Sequence, residues 1–165
     1  MAEARQVQGE LVLLVLSGDM EKGLAACNLA LAALAAERPV TLFFSFWGLN
    51  FLKRKECKHC VGAPLLSRLL GWINRDHAAS QRLGRFHLGG AGRWALLRLM
   101  RRHRIPPFRE SLEMAHRMGA RVIACSTTLG LMGLSRDDLI SEVDEVAGAM
   151  AFLDRARGGQ AICIS

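Results

Sequence analysis

A cysteine that closes an apolar run and opens a hydroxyl-rich stretch is the first group in this chain with chemistry within reach. Arg121-Val122-Ile123-Ala124-Cys125 is followed at once by Ser126-Thr127-Thr128. If the run is a strand and the hydroxyl residues start a helix, the sulfur meets the positive end of a helix dipole and free backbone N–H groups. Both favour the thiolate, which is the nucleophilic form and the one that carries sulfur as a persulfide. Ser126, Thr127 and Thr128 add hydroxyl donors nearby. Position alone, however, favours a buried and inert thiol, since free cysteine is among the most buried residue types.

Cys57-Lys58-His59-Cys60 is the second candidate. A CxxC pair binds zinc or cycles as a dithiol, and Lys53, Arg54, Lys55 and Lys58 favour thiolates by direct charge. No second CxxC follows, and His77, His87 and His103 lack finger spacing, so no metal site is predicted. The plainer reading is an exposed loop with two incidental thiols. The alternative is a pair of accessory thiols serving Cys125. Ser17, Gly18 and Asp19 follow another apolar run and are candidates for an anion pocket, together with Ser126 and Thr127; Asp19 fits a helix cap better than a catalytic acid. Gly89-Gly90-Ala91-Gly92 is too generic to name a ligand. Cys27 and Cys163 are expected on apolar, structural faces. His116 is not assigned as a base to Cys125.

These groups need a scaffold. The run 10–16 is apolar and too short for a helix, so it reads as a buried strand. Residues 19–36 carry Leu24, Cys27, Leu31 and Leu34 at helical spacing, and Pro39 ends that element. Residues 40–45 form a second strand, which makes a βαβ unit with parallel strands. Residues 53–108 read as a basic, partly helical insertion, with a helix over 94–100 that ends before Pro106-Pro107. A helix over 108–118 is closed by Gly119. The strand 121–125 and a short helix within 126–134 follow, and Ser135 with Asp138 resembles a capping box. An amphipathic helix over 145–157 and a last strand over 161–164 complete the pattern. The expected fold is a three-layer α/β/α sandwich around a mainly parallel sheet of about five strands, in one domain spanning 1–165. Ligands in such sheets gather at the carboxyl ends of the strands, which selects 17–19, 45–47 and 125–127.

The chain has 165 residues and is 51% hydrophobic, enough for a core without staples. Its five cysteines are an odd number and suggest no disulfide framework. No secretory signal is apparent, and the longest uncharged stretches, 24–36 and 39–52, fall short of the ~20 residues of a spanning helix. A cytoplasmic protein is expected. Between Lys53 and Arg109 lie 14 Lys or Arg against Glu56 and Asp76, a local +12 within a net +7. Such asymmetry concerns partners. The basic stretch 93–104 could dock an anionic carrier protein or lie on a membrane surface, or be a solvated helix face. No nucleic-acid motif is present, and no nucleic-acid partner is expected.

Several stretches, taken in order, resemble the DsrE/DsrF-like family, in its branch with a long basic insertion. They are Ser17-Gly18-Asp19, Leu42 through Leu49, Gly89 through Gly92, Gly119 through Cys125, Leu131-Met132-Gly133-Leu134 and Asp137-Asp138-Leu139-Ile140. The resemblance implies a small sulfur-relay protein that holds a persulfide on Cys125 without a cofactor. It also implies exchange with TusA-like carriers or rhodanese-like proteins, and assembly as a homo-trimer or homo-hexamer. One departure stands out: Ser126-Thr127-Thr128-Leu129 replaces the Gln-Met-Ser-Met that branch members usually carry after this cysteine. The expected function is therefore a sulfur carrier or sulfurtransferase-like protein, the alternative being a non-catalytic adaptor or assembly subunit of the same fold.

Overall fold

The computed structural model describes residues 9–54 and 98–165. Five short strands form one sheet: β1 (Leu11–Val15), β2 (Val40–Phe44), β3 (Arg121–Cys125), β4 (Glu145–Ala147) and β5 (Gln160–Ile164). Their spatial order is β4-β3-β2-β1-β5, and every neighbouring pair is parallel. β1 and β2 are unbroken apolar or β-branched runs because the central strands of a parallel sheet are covered on both faces. The fold is the expected α/β sandwich.

Helices α1 (Met20–Ala35) and α2 (Phe108–Arg117) pack side by side on one face. Beneath them Phe44, Phe51 and Phe108 cluster, with the Phe51 and Phe108 ring centroids 4.2 Å apart. Gly23 of α1 makes room for this cluster, since a Cβ there would sit 2.3 Å from Phe51 Cζ. The short helix α3 (Ser126–Met132) adds Leu129 to the same core. Helix α4 (Ala149–Ala156) lies on the opposite face. There Phe152 meets Phe43 edge-on at 5.7 Å, above Ile123 and Cys125. The change of face follows from topology: the chain steps from β1 to β4 in one direction, then returns past β1 to β5, and right-handed crossovers put that last helix on the other side.

Most element boundaries fall within a residue or two of the sequence expectations. The helix expected over 145–157 is a correction: Glu145–Ala147 is an edge strand, and the helix begins only after Gly148. Of the helix expected over 94–100, residues 98–102 are helical; 94–97 lie outside the described residues. Gly119 closes α2 with φ +99°. Ser135 and Asp138 form the capping box, there opening a single 3-10 turn, Arg136–Asp138.

Candidate functional site

The register between β2 and β3 pairs Phe44 with Ala124. One step further along, Ser45 lies beside Cys125. Side chains alternate along a strand, so both point to the same face as Phe43 and Ile123. Ser45 is still extended, at φ −139° and ψ 165°. The chain then turns sharply at Phe46, which is held in the left-handed region at φ +46°, and enters the 3-10 segment Phe46–Leu52. The Gly48 N–H lies 3.0 Å from both the Leu16 and the Ser45 carbonyl oxygens. A Cβ on Gly48 would stand 2.3 Å from the Val15 carbonyl oxygen, so only glycine lets this turn press onto the end of β1.

Thr128, in the first turn of α3, closes the arrangement from the other side. Its Oγ1 lies 3.0 Å from Ser45 Oγ and accepts the Phe46 N–H at 3.2 Å. Cys125 occupies the N-cap position of α3. Three buried polar side chains thus meet at the carboxyl edge of the sheet: Ser45 (6% exposed), Cys125 (6%) and Thr128 (3%).

The electrostatics of Cys125 result from opposed effects. Burial pushes its thiol up. The Ser45 hydroxyl, the N–H and hydroxyl of Thr128, and the N–H of Thr127 pull it down, and the sum leaves it below the ordinary thiol value. The backbone contribution is proximity rather than a full cap, for Cys125 makes no geometrically complete N-cap hydrogen bond. With only seven residues in α3, the nearby N–H groups matter more than the helix dipole. The site therefore favours a nucleophilic thiolate, which is also a better leaving group.

The other residues singled out in the sequence fall in different places. Ser126 and Thr127 are exposed, so Thr127 acts through its backbone only, and Ser126 lies beside Gly148, where α4 begins. Ser17, Gly18 and Asp19 line the same carboxyl edge one strand further along, and Gly18 lies against Trp47. Asp19 holds the N-cap position of α1, but its side chain makes no capping bond. Its N–H instead donates to Ser17 Oγ at 3.1 Å, and its carboxylate meets Lys22 Nζ at 3.3 Å. Cys27 is buried as expected. Cys163 is exposed on β5, a correction to its expected place on an apolar face: β5 is one of the sheet's two edge strands. His116 sits at the far end of β3, bonded to Asp144 at 2.9 Å. Cys57, Cys60 and Gly89 through Gly92 lie outside the described residues. Among the described residues, no cluster of three or more His, Cys, Asp or Glu could hold a metal ion, and no helix is long and apolar enough to cross a membrane.

In the sequence Ser45 and Phe46 read only as a strand end, and Thr128 only as one of three neighbouring hydroxyls. Thr128 is three residues after Cys125, the spacing at which a helix returns toward its own cap. That spacing is the one trace of the arrangement in the sequence.

The sequence matches the DsrE/DsrF/DrsH-like family over residues 8–162. It is 31% identical over 147 residues to the uncharacterized protein YrkE of Bacillus subtilis (strain 168), covering 89% of this chain and 91% of that one. The structure of MTH1491, a protein of unknown function from Methanobacterium thermoautotrophicum, matches with a TM-score of 0.55 at 17% identity, over 94% of this chain and 99% of that one. That likeness carries the fold, and the sequence match carries the family: the chain belongs to the DsrE/DsrF/DrsH-like family.

Proposed function

We propose that this protein is a sulfur carrier, sulfurtransferase-like in its chemistry, with Cys125 as the residue that holds the sulfur. The observation that carries this reading is the thiolate-favouring setting of Cys125 at the carboxyl end of β3. Membership of a family with a sulfur-relay-type fold supports it. In the first step the Cys125 thiolate attacks the outer sulfur of a donor persulfide. A new S–S bond forms, the donor's S–S bond breaks, and the donor leaves as a thiolate. In the second step an acceptor thiolate attacks the same outer sulfur and Cys125 leaves as a thiolate. Each step is an exchange with no net oxidation, so it uses no cofactor.

The partners that fit are a TusA-like carrier or a rhodanese-like protein. Exposed Arg101, Arg102 and Arg104, flanked by exposed Leu99 and Ile105, support an anionic docking surface on the partner; a membrane surface is the rival occupant. We further propose a homo-oligomer, supported by exposed Val146, Met150 and Leu153 along β4 and α4. One observation favours a second reading, a non-catalytic adaptor: the Cys125 side chain is nearly covered, as a structural thiol's would be.

Mass spectrometry after incubation with a persulfide donor separates the two. The wild type should gain one sulfur on the peptide holding Cys125, and Cys125→Ser should gain none there. A wild type that gains no sulfur, or a variant that gains it equally, rejects the carrier and leaves the adaptor.

A further inference from the structure

Ser45, Thr128 and Cys125 form a closed set with few hydroxyl protons to distribute. Strand register places Ser45 beside Cys125, and the first turn of α3 returns Thr128 to the same point. The two hydroxyl oxygens are 3.0 Å apart, so one hydroxyl proton is spent between them. Thr128 Oγ1 also accepts the Phe46 N–H, which fixes its position against the left-handed turn at Phe46. Each hydroxyl has a single proton to give. Two hydroxyls that share one bond leave one proton for the sulfur, and the hydroxyls of Ser45 and Thr128 both act on the Cys125 thiol. If Ser45 donates to the sulfur, Thr128 donates to Ser45. If Thr128 donates, Ser45 donates to Thr128.

We infer that Ser45 and Thr128 act as one interchangeable hydroxyl donor to the Cys125 thiolate, touching the reacting sulfur alternately, and that Thr128 alone also holds the Phe46 turn. The inference rests on Cys125 being the working thiol, but not on the identity of what it carries. Removing one hydroxyl frees the other's proton for the sulfur. Removing both leaves the thiolate with backbone N–H groups only.

The test is the pH dependence of alkylation at Cys125, followed on its own peptide by pulsed iodoacetamide labelling of the intact protein. Ser45→Ala and Thr128→Val should each shift the midpoint by much less than their combination. The combination should raise it by roughly one to two units, the worth of one hydrogen bond to a charged group. Singles that sum to the double, or a double with the wild-type midpoint, overturn the inference. Thr128→Val also strands the Phe46 N–H and so could unfold the chain. The S45A/T128S pair keeps one hydroxyl and that acceptor, and it should keep the wild-type midpoint; a rise of one unit or more there overturns the inference as well. Because labelling needs no sulfur donor, its outcome is independent of whether the protein takes up sulfur.

Discussion

Cys27 and Cys125 are both buried, yet they are driven in opposite directions. Cys27 lies in the apolar core beneath α1, and burial pushes its thiol from 9.0 up to about 12. Cys125 is less deeply buried and is surrounded by hydroxyl and N–H donors, which outweigh burial. The difference is one of depth and of local polarity together. It has a consequence for stability. Between pH 9.0 and about 12 the unfolded chain releases the Cys27 proton while the native chain keeps it, so this residue's contribution to stability is lost as pH rises through that window. Cys125 has the opposite sign: its contribution is present above the ordinary thiol value and is lost as pH falls through its lowered native value. Denaturation melts from pH 8 to 11 should therefore decline less steeply for Cys27→Ala than for the wild type. Parallel slopes would show that Cys27 ionises equally in both states. At pH 8, Cys27 should resist iodoacetamide until the protein is unfolded in urea.

At the scale of elements, the amino ends of the strands are secured as carefully as the carboxyl ends. Asp144, just before β4, accepts the Val122 N–H at 2.7 Å and bonds His116 of α2 at 2.9 Å, while its own N–H donates to the Val122 carbonyl at 2.9 Å. One side chain thus joins α2, β3 and the entry to β4. Asp144→Ala should lower stability in urea by about 1–2 kcal/mol, the cost of losing a hydrogen bond to a carboxylate and leaving its partner unmet. A change under ~0.3 kcal/mol would mean that water replaces it. This junction also shows where the sequence was hard to read. β1, β2, β3 and β5 announce themselves as apolar runs. β4 is three residues, Glu145-Val146-Ala147, too short for alternation to register, and its apolar positions merge with the period of α4. Gly148 was the break in that period. The Cys125 end of β3 was visible because strand and helix start adjoin in sequence. The Ser45 contribution was not, because its partner Thr128 lies 83 positions away and only the sheet brings them together.

At the scale of the molecule, the two faces of the sheet are unequally covered among the described residues. α1, α2 and α3 seal one face, whereas α4 on the other has no fully buried residue. Met150 (68% exposed) and Leu153 stand three apart on α4, with Val146 close by in sequence. Under the proposed homo-oligomer, M150E or L153E should lower the mass measured by light scattering toward that of one chain, with unchanged circular dichroism. An unchanged mass would place the subunit contact elsewhere.

The position of β5 beside β1 imposes an order on synthesis. β1 gains β2 as soon as residues 40–44 are made, but its other edge pairs only with residues 160–164. Gly159 crosses so close to Glu10 that a Cβ would stand 2.2 Å from its carbonyl oxygen, so the seam closes only when this late segment is threaded tightly into place. At roughly 5–20 residues per second on the ribosome, the second edge of β1 stays open for roughly 6 to 24 seconds after the first has paired. During that interval the nascent chain presents an unpaired strand to its neighbours, and residues 160–164 are the ones that end the exposure.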